Sequence, residues 1–277
     1  MDTTPSGRGT TALLIERPGY HLHAEAIAPD RAGAPWIVFG NSLVTDLSIW
    51  DAQAAALAGR YGILRYDQVG HGQSGLPAYQ PGFDDLAADL LAVMDAAGVD
   101  RAIYDGLSMG IPTGLAAHRQ AAHRFAGFVF TDGQAKTAPG GAANWAERIA
   151  AAEANGMQSF AAATAERWLT AGAAPEMRAR LVAMIAATPL EGFRIGATAL
   201  MDYDFADELQ HIACPTLLVA GEADTALAEG MAAKLKPAIA GSVLHLVPQA
   251  GHVPCFEQPD AYTGVLDGFL GSLAPDA

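Results

Sequence analysis

The stretch that decides the fold is Gly106-Leu107-Ser108-Met109-Gly110, which lies between an apolar run at 102–104 and a helix-like run at 114–118. A G-x-S-x-G sequence between a strand and a helix is typical of a tight turn that carries a nucleophilic serine. The turn forces the serine into a strained backbone conformation, and side chains two residues to either side would collide with the neighbouring strand and helix. We therefore predict that Ser108 is a nucleophile held clear of a sheet.

Two later loops carry the partners that such a serine needs. Asp224 follows the apolar run 214–220, and His252 follows the apolar run 243–248. Each run is predicted to be a buried parallel strand. In a triad, His252 would take the proton from Ser108 and return it to the leaving group, while Asp224 would fix the tautomer of the imidazole and stabilise the imidazolium.

Further short segments along the chain match one known family. They lie at 40–50, 64–67, 70–74, 144–148 and 255–259, in addition to 106–110, and span nearly the whole chain from about residue 20 to residue 275. On these segments the chain resembles the α/β-hydrolase superfamily and looks most similar to the 3-oxoadipate enol-lactonases. The resemblance implies an α/β fold with a mostly parallel central sheet flanked by helices and an inserted helical cap.

The resemblance also implies an activity. It is hydrolysis by a Ser-His-Asp triad of a small ester or an (enol-)lactone, with carboxylate-bearing substrates as one option, as in aromatic or heterocyclic catabolism. The oxyanion hole would use the backbone N–H of Met109 and, by matching Asn41-Ser42 to the His-Gly pair of the superfamily, the N–H of Leu43. Asn41 and Ser42 are candidates for shaping the substrate pocket, although turn formation explains them equally well.

The catalytic acid has a second candidate. Asp132 follows the predicted strand 125–131, a place where some members of the superfamily carry the acid. The short spacing from Asp224 to His252 and the G-x-x-D sequence favour Asp224. If Asp132 is not the acid, it would cap the next segment or line the pocket.

Apolar strands alternate with helix-period stretches over most of the chain. We expect a hairpin at 11–28 at the sheet's edge, helices from Phe83 to Ala97 and from Met109 to Arg124, and strands at 34–39, 61–66, 101–105, 125–131, 214–220 and 242–247. No strand is expected between about Gln134 and Tyr203. This predicts a hydrolase core at 11–133 and 204–275 and a helical cap at 134–203.

The predicted cap contains the candidates for substrate contacts. Trp145 and Trp168 either line the pocket or pack the cap on the core. Five arginines are candidate cations, and an exposed helix face explains most of them: Arg148, Arg167, Arg178, Arg180 and Arg194. Arg148 is the first choice for holding a substrate carboxylate, because it lies one helical turn after Trp145 and shares its face.

Composition limits the classes of partner. The net charge of −14, with only 16 lysines and arginines, argues against nucleic acid and anionic membrane surfaces, so the expected partner is a small-molecule substrate. Cys214, in a predicted strand, and Cys255, in a predicted loop, have no metal-ligand spacing and suggest a reducing compartment. With no leader-like or membrane-length run, we expect a cytoplasmic protein whose first ten or so residues are disordered.

No cofactor and no metal are implied, because the chain lacks a G-x-G-x-x-G after a strand and a P-loop, and its other histidines lack metal-ligand company. Oligomeric state is left open. Rival functions on the same fold are small-molecule binding, cofactor-free oxygen or peroxide chemistry, and hydrolysis of amide or carbon–carbon bonds.

Overall fold

The computed structural model describes residues 9–273, with Ala226 described by its backbone only. The expectation of disorder near the N-terminus concerns mainly residues 1–8, which lie outside the described residues, as do residues 274 and 275 of the predicted core. The division into core and cap at 134 and 203 stays a prediction. No helix among the described residues combines the length and the apolar character needed to cross a membrane.

A single sheet of eight strands forms the centre of the molecule. The strands are β1 (Thr10–Arg17), β2 (Tyr20–Ile27), β3 (Trp36–Gly40), β4 (Gly62–Tyr66), β5 (Ala102–Leu107), β6 (Phe125–Thr131), β7 (Thr216–Gly221) and β8 (Val243–Val247). Their order across the sheet is β1-β2-β4-β3-β5-β6-β7-β8. The hairpin β1–β2 is antiparallel and forms one edge, and the strands from β4 to β8 are parallel. The predicted fold class, strands and edge hairpin are confirmed.

Helices flank the sheet. They are α1 (Asp51–Leu57), α2 (Phe83–Ala96), α3 (Gly110–Ala121), α4 (Gly141–Trp168), α5 (Pro175–Ala187), α6 (Leu190–Ala199), α7 (Thr225–Gly230), α8 (Lys236–Ala238), α9 (Pro254–Glu257) and α10 (Pro259–Leu273). α2 packs on α3, α1 packs on α10, and α4 packs on both α5 and α6. α4 is broken at Gly156, whose φ of 78° is not helical. We call α4, α5 and α6, which lie between β6 and β7 in the chain, the cap helices.

Three details differ from the sequence-based expectations. β7 begins at Thr216 and leaves Cys214 outside the strand, since Pro215 has no N–H to give to a ladder. Cys255 lies in α9 and not in a loop. β8 is not a buried strand: it forms the second edge of the sheet, where Val243 is 61% exposed and Leu246 is 44% exposed. An apolar run therefore predicted the strand correctly but not its burial.

The parallel strands all end at the same edge of the sheet, and the loops that leave this edge carry the predicted site residues. Ser108 follows β5, Asp132 follows β6, Asp224 comes shortly after β7, and His252 comes after β8. Ligand sites of open α/β sheets lie at this carboxyl edge. The strand order therefore brings distant parts of the sequence to one place.

Candidate active site

Ser108 lies at the sharp turn between β5 and α3. Its φ is 53°, in the left-handed region that non-glycine residues rarely adopt. The turn is held from both sides, because the Ser108 N–H donates to the carbonyl of Thr131 at 2.8 Å and the Ser108 carbonyl accepts from Ile111 at 3.0 Å. Strain of this kind persists only where the surrounding structure imposes it, and it is concentrated at functional sites.

The two glycines of the turn are required by close contacts. A Cβ added at Gly106 would lie 2.6 Å from the Tyr104 ring and 2.7 Å from the carbonyl oxygen of Gly110. A Cβ added at Gly110 would lie 2.8 Å from the carbonyl oxygen of Gly40, at the end of β3. The collision predicted from the sequence is thus present on both sides of the serine.

His252 joins Ser108 to Asp224. Its Nε2 lies 3.1 Å from the Ser108 Oγ, and its Nδ1 lies 2.7 Å from the Asp224 Oδ2. An acceptor at Nδ1 places the ring proton there, which leaves the Nε2 lone pair facing the serine hydroxyl. This chain of contacts has the geometry that a serine needs in order to lose its proton during attack.

The loop of Asp224 is tied to the loop of His252 by backbone hydrogen bonds. Glu222 N–H donates to the Val247 carbonyl at 3.0 Å, and Ala223 N–H donates to the Ala250 carbonyl at 2.9 Å. Asp224 therefore approaches the imidazole from a braced turn.

Asp132 lies next to this pair without replacing Asp224. It is fully buried, has a φ of 41°, and accepts the N–H of Gly221 at 2.9 Å and 3.2 Å with its two carboxyl oxygens. Burial, together with the charge of Asp224, raises the pKa of Asp132 well above its usual range. Because burial favours the protonated form of Asp132, this residue is less suited than Asp224 to supply the negative charge that an imidazolium requires. The geometry therefore favours Asp224 as the partner of His252.

Asp132, Asp224 and His252 are also the group that could hold a metal ion, since one ligand atom of each lies within 4.8 Å of the others. Two of these residues are already joined by the hydrogen bond between His252 Nδ1 and Asp224, and burial raises the pKa of Asp132 and so favours its protonated form. A metal would have to break this contact and compete with the protonation of Asp132. The triad arrangement explains the cluster without an ion.

The loop after β3 supplies one expected side of the oxyanion hole. Among residues 9–273, no hydrogen-bond acceptor faces the backbone N–H of Leu43 or of Met109. Both residues line the same cavity as Ser108. The loop is braced from within, because the Ser42 carbonyl accepts hydrogen bonds from Thr45 and from the Gln68 side chain. Two free N–H groups on rigid backbone beside a nucleophile can bind a developing oxyanion.

Asn41 and Ser42, which the sequence pairs, have different surroundings. Both polar groups of the Asn41 side chain form hydrogen bonds within the protein. The amide oxygen accepts from Trp50 Nε1 at 3.0 Å, and the amide nitrogen donates to the Tyr66 carbonyl at 2.8 Å. Asn41 is not among the described residues that line the cavity, and its contacts fit the alternative explanation, in which it forms the loop. Ser42 does line the cavity, and its buried Oγ has no partner in the described part of the chain.

The cavity above Ser108 has a volume of about 300 Å³. Its walls come from the loops at the sheet edge and from the region of the cap helices. From the latter come Ala138, Gly141, Asn144, Trp145, Arg148, Arg167, Trp168, Leu200 and Tyr203. The structure thus brings Trp145, Arg148 and Trp168 to the predicted site. Sequence reasoning did not select Asn144, although it lies in the matched segment 144–148, or Tyr203, which belongs to no motif.

The five candidate arginines fall into two groups, those that form ion pairs and those that line the cavity. Three of them form ion pairs: Arg178 with Glu166, Arg180 with Asp51, and Arg194 with Glu191. Arg148 and Arg167 line the cavity and have no carboxylate partner in the described part of the chain. In a chain with a net charge of −14, these two cations make the cavity locally positive.

Arg148 is the more enclosed of the two. Its guanidinium lies 4.7 Å from the centre of the Trp145 ring, a cation–π contact that confirms the shared helix face. Burial, and then the charge of Arg167, lowers the pKa of Arg148, yet an arginine remains protonated at neutral pH. Arg167 is exposed at the rim of the cavity. The mutual repulsion of the two guanidinium groups would be relieved by a bound carboxylate.

A parallel sheet whose carboxyl edge carries an elbow serine, an aspartate and a histidine, in this order along the chain, is typical of the α/β hydrolases. The family model described as "alpha/beta hydrolase fold" matches residues 35–259, and the chain belongs to this family. This confirms the family inferred from the sequence.

Within that family, the chain is 31% identical over 268 residues to 3-oxoadipate enol-lactonase 1 of Acinetobacter baylyi, an alignment that covers 94% of this chain and 97% of the relative. It is 32% identical over 247 residues to 3-oxoadipate enol-lactonase 2 of the same organism, with 87% and 90% covered. The crystal structure of the enol-lactonase from Burkholderia xenovorans LB400 superposes with a TM-score of 0.83 at 34% identity, covering 91% of this chain and 97% of that one.

Proposed function

We propose that this chain is a serine hydrolase that opens small enol-lactones or esters carrying a carboxylate. One observation carries the proposal: the contacts Ser108–His252–Asp224 open into the same cavity as Arg148 and Arg167, which lack ion-pair partners among the described residues. The similarity to enol-lactonases supports the reaction class.

The reaction begins with a proton transfer. His252 Nε2 accepts the proton of the Ser108 hydroxyl as Oγ attacks the lactone carbonyl carbon. The carbonyl oxygen becomes an oxyanion, which the N–H groups of Leu43 and Met109 stabilise. Asp224, as a carboxylate, balances the positive charge that forms on His252.

Collapse of the tetrahedral intermediate breaks the ring C–O bond. His252 gives its proton to the departing enol oxygen, which stays attached to the acyl chain because the substrate was cyclic. A water molecule then attacks the acyl carbon, with His252 again taking a proton, and Ser108 regains its hydrogen when the acid leaves. The ring-opened product is released with one carboxylate more than the substrate.

The cavity sets the size and charge of the substrate. A volume of about 300 Å³ is at the lower end for ligand pockets and fits a compact molecule. Arg148 would hold the carboxylate with charge-assisted hydrogen bonds while Trp145 and Trp168 contact the apolar part of the ring. The carboxylate thereby orients the lactone carbonyl over Ser108.

The proposal is tested with a matched pair of substrates. Ring opening of 3-oxoadipate enol-lactone is measured beside ring opening of its methyl ester, with Ser108→Ala as the blank. We expect Ser108-dependent turnover of both lactones and a higher kcat/KM for the carboxylate form. Faster hydrolysis of simple neutral esters than of either lactone would instead indicate a carboxylesterase.

The same assay separates the rival functions. Tight retention of the lactone without turnover would indicate a binding protein, and product formation that requires oxygen would indicate oxygen chemistry. Including short amides tests hydrolysis of carbon–nitrogen bonds.

A further inference from the structure

Glu257 is a buried carboxylate that has no place in the proton transfers. It lies at the end of α9, five residues after His252, and is 4% exposed. One oxygen, Oε2, accepts the N–H of Gly251 at 2.7 Å. The other oxygen, Oε1, accepts both the N–H of Thr170 at 2.8 Å and the hydroxyl of Thr170 at 2.5 Å. The carboxylate therefore bridges the histidine loop and the residues that follow α4.

A second link runs in parallel with this bridge. The N–H of His252 itself donates to the carbonyl of Trp168, the last residue of α4, at 2.8 Å. The approach is so close that a Cβ added at Gly251 would lie 2.2 Å from the Trp168 oxygen. The Trp168 ring also lies against the imidazole of His252, with 4.9 Å between ring centres.

The chemistry of the bridge explains why a carboxylate is needed. Three donors converge on Glu257 from two segments that are distant in the sequence, and a carboxylate can accept hydrogen bonds at both of its oxygens. Hydrogen bonds to a charged acceptor are about twice as strong as neutral ones. The far side of the bridge is braced as well, since Arg178 donates to the carbonyl of Thr170 at 3.0 Å.

From these contacts we infer that Glu257 is a positioning residue: it locks the loop of His252 to the end of α4, so that the general base and the wall of the cavity form one rigid unit. The inference rests on the proposed role of His252. Because Trp168 and Arg167 are neighbours in the last turn of α4, this unit also carries one of the two cavity arginines.

Glu257→Gln tests the inference. An amide has one accepting oxygen, so its NH₂ group would face an N–H donor at Gly251 or at Thr170 and one side of the bridge would open. We expect kcat to fall by up to about 10²-fold while KM stays within about twofold, because small misplacements of a catalytic group have effects of this size. Asp89→Asn is the matched control, since Asp89 is a buried carboxylate bonded to Arg17 and Tyr20 and lies outside the cavity. It should lower the Tm without lowering kcat.

Hydrogen exchange gives a readout that does not depend on turnover. In Glu257→Gln, the amides of 168–170 and 249–253 should exchange faster together, with the elbow at 106–110 unchanged. If the wild type shows no Ser108-dependent hydrolysis, the proposed function fails, and the exchange result still decides whether the two segments are coupled.

Thr170→Val provides a second variant in case Glu257→Gln does not fold. It removes only the hydroxyl contact and should produce a smaller change in kcat and in exchange, in the same direction. Wild-type kcat in Glu257→Gln, or faster exchange in only one of the two segments, would overturn the inference.

Discussion

The triad loops (residues 106–110, 221–225 and 249–253) and the cap helices form two walls of one cavity, but different forces position them. The triad loops are fixed by backbone geometry and backbone contacts. Ser108 has a strained φ, the neighbouring glycines leave no room for a Cβ, and hydrogen bonds join the loops. The cap helices are fixed by side-chain packing and by ion pairs that are individually weak, and only the end of α4, among the described residues, is tied to the His252 loop by hydrogen bonds. The first wall should therefore tolerate almost no change in chemistry, and the second should adapt to substrate except at the end of α4, which is tied to the His252 loop.

The largest effect is expected from the triad loops. Ser108→Ala should lower turnover about 10⁴-fold or more, because it removes the nucleophile while the neighbouring contacts remain. Thermal unfolding should show a fold that remains intact. Activity within about tenfold of the wild type would remove Ser108 from its assigned role.

A comparison of two aspartates identifies the acid. Asp224→Asn should lower kcat by about 10⁴-fold, because the amide no longer sets the tautomer of His252. Asp132→Asn should have a far smaller effect, since burial raises the pKa of Asp132 and the amide resembles its protonated form. Steady-state kinetics on both variants decides the matter, and the reverse ranking would move the role to Asp132.

The cap helices should give a selective effect. Arg148→Ala should raise KM for the carboxylate-bearing lactone about tenfold or more, because a hydrogen bond to a charged group contributes about 1.5–3 kcal/mol. The methyl ester of the same lactone should be almost unaffected. Arg194→Ala is the control, since its guanidinium is paired with Glu191 on the surface. Equal losses for both lactones would mean that Arg148 only packs the cap.

The smallest effect on activity is expected beneath the triad loops, where Asp105 is buried with Tyr262 and Thr131. Burial raises the pKa of Asp105 from 3.8 to about 8. The folded state thus holds this proton more tightly than the unfolded chain, so the free energy of unfolding falls as the pH rises from about 4 to about 8. Asp105→Asn should make the Tm less dependent on pH in this range and leave kcat nearly unchanged. Melting curves at several pH values test this, and an identical pH dependence in the variant would contradict it.

The sequence predicted the triad loops well because each of their residues is imposed by local chemistry. Glycine is sterically required two residues before and two residues after Ser108, so a five-residue sequence is enough to predict the turn. The parallel strands were predicted equally well, because buried strands require continuous apolar runs. The exposure of β8 was not predicted, since its apolar run looks the same as that of a buried strand.

The sequence predicted the cap helices less well because nothing local distinguishes a cavity arginine from a surface arginine. Arg148 and Arg178 both lie on helices, but in the folded chain Arg178 pairs with Glu166 and donates to the carbonyl of Thr170, whereas Arg148 lines the cavity. The role of Glu257 could not be predicted for the same reason, because its partners Gly251 and Thr170 come together only when the chain folds. Asn41 was a candidate for the pocket because Asn41-Ser42 matches the His-Gly pair of the superfamily, but its side chain forms hydrogen bonds with Trp50 and Tyr66.

The central claim is that Ser108 is the nucleophile activated by the contacts with His252 and Asp224. The most direct measurement is titration with a p-nitrophenyl phosphonate, followed by peptide mapping of the adduct and an assay of the remaining lactone hydrolysis. We predict one equivalent of adduct on Ser108, a loss of hydrolysis in proportion to labelling, and labelling that is strongly slowed in Asp224→Asn. Full labelling at another residue, or complete modification of Ser108 with hydrolysis retained, would contradict the account.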